Sequence, residues 1–173
     1  MTNPIEATPF WLLTLAFWLH MVTTVVWIGG LALLTLFLLP AARQTLSAKE
    51  ISLLLDKIQP RFNALGWFSL ITLLGTGLVQ MSANPNYHGL LAINNNWSAA
   101  ILAKHIVFLA MICVNVYLTW WLLPAHRRAT MLLSMGAETP EIAQLASRQA
   151  RLMQLNLLLG VVVLGLTAVA RAS

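Results

Sequence analysis

Acidic residues are scarce in this sequence: five among 173, at Glu6, Glu50, Asp56, Glu138 and Glu141, all outside its four long apolar runs. With no Asp or Glu in the apolar runs, the sequence offers no general-base constellation within the membrane. Proton chemistry there would fall to His20, Lys104 or His105. A single cysteine, Cys113, excludes an intrachain disulfide and a paired-thiol metal motif, and is expected to fill a small gap in the core. Long polar stretches are also missing, so no second core is expected and residues 1–173 form one domain. Ten Lys and Arg give a net charge of +5, but they flank apolar blocks and form no stripe with interleaved aromatics, which argues against nucleic acid as a partner.

What is abundant is apolar surface. A hydrophobic fraction of 59%, only 9% charged residues and a mean hydropathy of +0.78 describe an integral membrane protein whose main partner is the lipid bilayer. The runs 9–39, 62–81, 98–123 and 152–171 each reach about the 20 residues that a spanning helix needs. The predicted fold is all-α, an up-down-up-down four-helix bundle with a short cytoplasmic amphipathic helix. Thr8-Pro9 is expected to open the first span, which is too long for a signal-peptide core and is read as retained. Ser47-Ala48-Lys49-Glu50 reads as a capping box before Ile51, Leu54, Leu55 and Ile58, a short interfacial helix that Pro60 should end. Thr139-Pro140-Glu141 starts a helix that can continue into the fourth span. No internal repeat is read.

The connections set the direction. Arg43, Lys49, Lys57, Arg61, Arg127, Arg128, Arg148 and Arg151 lie beside or within segments 40–61 and 124–151, whereas the loop SANPNYHGLLAINNNW has no Lys or Arg. The positive-inside bias therefore predicts a multi-pass protein with cytoplasmic basic connections and both termini on the other side, which is periplasmic in a Gram-negative inner membrane. Trp11, Trp97, Trp120 and Trp121 are expected at the interfaces; His88 and His126 are read as surface residues.

His20 and His105 are the informative exceptions to apolarity, because an ionisable group facing lipid costs about 2.5 to 3.5 kcal/mol. His20 lies about 16 Å along its helix from Pro9 and His105 about 12 Å from Trp97, so both belong to the outer half of the bilayer. In an up-down bundle the first and third spans are diagonal, which sets two imidazoles across a gap that suits a planar cofactor with two axial ligands, b-type haem. His20 shares a stripe with Ala16, Phe17, Thr24 and Trp27. Lys104, His105, Met111, Asn115 and Thr119 form a polar arc on the third span. Ser69, Thr72, Thr76 and Gln80 with Gly66 on the second, and Asn156, Gly160 and Thr167 on the fourth, would wall the gap. Lys104, Gln80 and Arg171 are placed to meet haem propionates, and Thr24, Trp27, Thr72 and Thr76 to line the ring.

The run HMVTTVVWIGGLALLTLFLLP resembles the first span of the copper-resistance protein D family; RFNALGWFSLITLLGTGLV resembles its next span, and Trp97 followed by ILAKHIVFLAMICVN its Lys-bearing one. The resemblance implies a bacterial inner-membrane bundle associated with copper handling and, by wider similarity, with haem-binding membrane proteins. A more distant similarity is to the small membrane protoporphyrinogen oxidase, from which the chain departs in lacking a Tyr-Leu-Pro-Arg motif after the glycine pair. Several functions stand side by side. One is a b-haem electron carrier serving a quinol or a periplasmic redox partner, with His20 and His105 as metal ligands. Others are copper transport or delivery, with Met21, Met81, Met111 and Cys113 as further soft ligands, and a haem-dependent membrane oxidoreductase. The last is a subunit of a larger respiratory complex.

Overall fold

The computed structural model describes residues 9–87, 89, 93, 95–135 and 141–172, and every regular element among them is helical. Four helices are long and apolar enough to cross a membrane: Phe10–Thr45, Lys49–Ser82, Asn96–Leu133 and Glu141–Ala172. At about 1.5 Å per residue each exceeds the roughly 30 Å hydrocarbon layer, so helical ends project beyond it. Large apolar side chains such as Val25, Ile71, Leu109 and Leu158 lie on the outside, where lipid satisfies them. Thr8, His88, Thr139 and Pro140 fall outside the described residues.

Local chemistry explains the helix starts. Ser47 and Glu50 form the expected reciprocal cap: the Ser47 N–H donates to Glu50 Oε2 at 2.8 Å, and the Glu50 N–H to Ser47 Oγ at 3.4 Å. A second capping box, not anticipated, opens the third span, where Ser98 N–H donates to Asn95 Oδ1 at 2.8 Å and Asn95 N–H to Ser98 Oγ at 3.1 Å. Pro60 does not end the second helix. Ala48–Ser82 is continuous through it, so the separate short amphipathic helix becomes the first turns of the second span. An interior proline costs about 3 kcal/mol, yet Ser52, Leu55 and Gln59 just before it are buried, and that packing holds the helical path. Glu141–Ala172 runs unbroken, as expected.

The first and third spans share a device. Each contains a π-helical stretch, Leu33–Leu38 and Leu118–Leu122, immediately before Leu39-Pro40 and Leu123-Pro124. Leu39 N–H reaches back five residues to the Leu34 carbonyl and Leu123 N–H to that of Leu118. A proline offers no N–H to the carbonyl four residues before it, and winding in an extra residue accommodates that gap.

These matching stretches expose a repeat that divergence hides in the linear sequence. Leu34–Arg43, LTLFLLPAAR, recurs as Leu118–Arg127, LTWWLLPAHR. Gln59-x-Arg61, Leu65 and Leu74-Gly75 recur at the same spacing as Gln149-x-Arg151, Leu155 and Leu164-Gly165. The chain is thus two related hairpins, first with second span and third with fourth, and the most extensive packing lies within each hairpin. The first and third spans have no substantial contact, as diagonal positions require. Gln149 Nε2 donates to Gln59 Oε1, a buried bond between equivalent positions, as expected at an approximate two-fold axis.

Two further expectations are corrected. Cys113 is exposed on the bundle surface and fills no core gap. His126 is only 1% exposed, because the third helix continues to Ser134 and turns that side chain inward among the helix ends.

Candidate functional site

At the end of the bundle opposite the basic connections, the four spans diverge around a cavity of about 600 Å³, large enough for an organic cofactor. His20 and His105 both line it, the first from the first span and the second from the third. Asn84 and Asn86, beyond the end of the second span, line its mouth.

Each imidazole is held through Nδ1. His105 Nδ1 lies 2.7 Å from the Ile101 carbonyl, which can only accept, so the ring donates from Nδ1. Thr76 Oγ1 has one proton, directed to the Thr72 carbonyl at 2.6 Å, so at 2.8 Å it accepts from His20 Nδ1. As neutral imidazoles both rings are therefore the tautomer with a lone pair on Nε2, the state of a metal-ligating imidazole oriented by an outer hydrogen bond. Nothing about His20 alone signals this; the partner lies 56 residues away.

The other expected site residues divide into two groups. Lys104, Arg171, Thr24, Trp27 and Gln80 line the cavity together with the histidines. Thr72 and Thr76 are not among its lining residues and stand behind His20 in the hydrogen-bond relay just described. Gln80 also donates from Nε2 to the Ala16 carbonyl at 3.2 Å, tying the first two spans together. The Arg171 guanidinium sits 5.3 Å from the centroid of the Phe17 ring, a cation–π contact at the open end.

Sequence reasoning missed Trp97, expected as an interfacial anchor but 7% exposed and turned into the cavity, and Phe108, which completes the wall of the third span. Met21, Met81 and Met111 line the same space. The deep end is closed by Trp27, which is 3% exposed and packs over the second span where Gly66 leaves room: a Cβ on Gly66 would come within 2.6 Å of Trp27 Cη2. The indole Nε1 is buried without a hydrogen-bond partner.

The electrostatics are one-sided. Lys104 and Arg171 face the cavity, and among the described residues no Asp or Glu lines it. Such a site favours a ligand with an apolar body and anionic groups near the mouth. Two free imidazole nitrogens, an apolar wall and two cations form a donor set that fits b-type haem. Among the described residues no group of three or more His, Cys, Asp or Glu could hold a metal ion by itself.

Beyond Trp27 the interior stays polar. Trp67 Nε1 donates to Thr119 Oγ1 at 3.1 Å, which contacts Asn63 Oδ1 at 2.6 Å. Asn156 is fully buried and neither polar atom of its amide has a protein partner.

No curated protein and no solved structure matches the chain. The family model described as copper resistance protein D matches residues 56–170, the second, third and fourth spans with their connections. That match covers more than half of the sequence, and the chain belongs to the copper resistance protein D family.

Proposed function

We propose that the protein is a membrane electron carrier of the copper-resistance D type that binds one b-type haem between His20 and His105. The observation that carries this is the pair of Nδ1 hydrogen bonds on two histidines that line one shared cavity, which leaves Nε2 as the ring nitrogen of each that can bind a metal. Haem bound there supplies one-electron redox chemistry. The chain's own residues bind and orient it: Thr76 and the Ile101 carbonyl fix the ring nitrogens, Lys104 and Arg171 meet carboxylates at the mouth, and Trp27 closes the deep end. With the basic connections on the cytoplasmic side, the cavity opens toward the periplasm, where a quinol or a redox partner can reach it.

A second reading has a specific observation in its favour. Met21, Met81 and Met111 join the two histidines around the cavity, a thioether–imidazole set suited to Cu(I) as cargo, and the family's name points to copper. Lys104 and Arg171 count against a bare cation in the same space.

The deciding experiment is a reduced-minus-oxidised spectrum of protein purified from haem-sufficient cells. A sharp six-coordinate b-haem band in wild type, lost in His20→Ala and His105→Ala, is the expected result. A colourless wild-type preparation that binds Cu(I) with the two histidines would replace haem by copper.

A further inference from the structure

At the basic end, the two-fold repeat places equivalent clefts between the end of one hairpin's first helix and the start of the other hairpin's second helix. They are filled differently. On one side Arg127 Nε approaches Asp56 Oδ1 at 3.8 Å, and His126 is buried beside them. On the other side the equivalents of Arg127, Asp56 and His126 are Arg43, Ala146 and Ala42. The arginine is kept, while its acid and the space-filling imidazole are both replaced by alanine.

The consequence is a cleft of about 430 Å³ lined by Arg43 from the first span, Ile51 and Leu55 from the second, and Ala146, Ala150 and Arg151 from the fourth. Its floor is apolar: Leu55 and Ala150 are each 2% exposed and belong to the main core cluster. Its edges are cationic. Among the described residues neither Arg43 nor Arg151 has an ion-pair partner, and no Asp or Glu lines the cleft. The positive-inside bias alone accounts for arginines at this end, but not for a cleft where only one of two equivalent arginines has an acid.

We propose that this cleft is a binding site for an anionic phospholipid of the leaflet at the basic end. The headgroup phosphate bridges Arg43 and Arg151 and takes the place that the Asp56 carboxylate occupies beside Arg127. An acyl chain lies along Ile51, Leu55 and Ala150. Guanidinium groups suit this ligand because their paired N–H donors match phosphate oxygens, and basic pockets between spans are recurrent headgroup sites. The assignment is independent of what the distant cavity holds.

The test is native mass spectrometry of the full chain in mild detergent, supplied with equal amounts of phosphatidylglycerol and phosphatidylcholine. Wild type is expected to retain one phosphatidylglycerol in preference to phosphatidylcholine. The double variant Arg43→Gln/Arg151→Gln should lose that adduct at least tenfold. Ala146→Asp, which restores the internal acid, should displace it comparably, while Ala146→Asn keeps it; a melting temperature for each variant confirms folding. Equal retention of both lipids, or an unchanged adduct in the double arginine variant, overturns the proposal. Thermal stabilisation of wild type by millimolar inorganic phosphate equal to that by phosphatidylglycerol assigns the cleft to a free anion and also overturns it.

Discussion

The two hairpins share a frame and differ in what they carry on it. In the first, Trp27 packs over Gly66; at the equivalent positions of the second stand Met111 and Asn156. The first has His20 where the second has Lys104, followed by His105 one position on. At the basic end the second span has Asp56 where the fourth has Ala146. A duplicated scaffold keeps its helix paths because the prolines with their π-helical turns and the central glutamine pair recur in both halves. Its side chains can then diverge, so a symmetric frame encloses an asymmetric cavity with one histidine from each half.

Substitutions that treat the halves unequally can break that comparison. The largest effect is expected from Thr76→Val, which removes the acceptor for His20 Nδ1 while His105 keeps its backbone carbonyl. Loss of such an outer partner typically costs 10- to 100-fold in affinity, to be read as haem dissociation, or as Cu(I) affinity if copper is the ligand. Gly66→Ala drives a methyl to within 2.6 Å of the Trp27 ring and should destabilise the first hairpin by about 1 to 3 kcal/mol, seen as a lower Tm in detergent. Adding Trp27→Phe should recover part of the loss; a neutral Gly66→Ala would mean the indole is not seated there. Gln149→Leu leaves the Gln59 amide buried without its donor, at a cost of about 1 to 3 kcal/mol, whereas Gln59→Leu/Gln149→Leu should come much closer to wild type. A double variant as unstable as the summed singles would remove the axial pair from the account. The smallest effect belongs to Asp56→Asn: the Asp56–Arg127 pair is partly exposed at 35% and 48%, so less than about 1 kcal/mol should be lost.

Much of the fold was legible because membrane insertion is written in composition. The four spans, their alternation and the Ser47–Glu50 cap follow from residues close in sequence. Whether Pro60 stops a helix was not legible, since Ser52 and Gln59 had to meet other helices before packing could outweigh the proline. His126 was misread for a similar reason: beside Arg127 and Arg128 it has a surface neighbourhood in sequence, and only the inward turn of the third helix buries it. The histidines of the cavity stood out as polar exceptions in apolar runs. Their tautomers did not, because these depend on Thr76 in another helix and on a carbonyl whose availability no side chain announces. The repeat was legible in principle from LTLFLLPAAR and LTWWLLPAHR, but a ten-residue echo separated by a divergent span is weak until the π-helical turns coincide.

Those under-wound turns also keep the residues that follow them in phase. One residue of ordinary helix adds about 100° around the axis; the wide turn at Leu33–Leu38 absorbs one extra residue, so Arg43 reaches the cleft beside the fourth span on the bearing it would have without it. The bearing of the guanidinium is thus set several residues before it: Pro40→Ala, which supplies the missing N–H and lets the turn rewind at unchanged length, should carry Arg43 about 100° away from the fourth span and test the headgroup site without touching any group that binds.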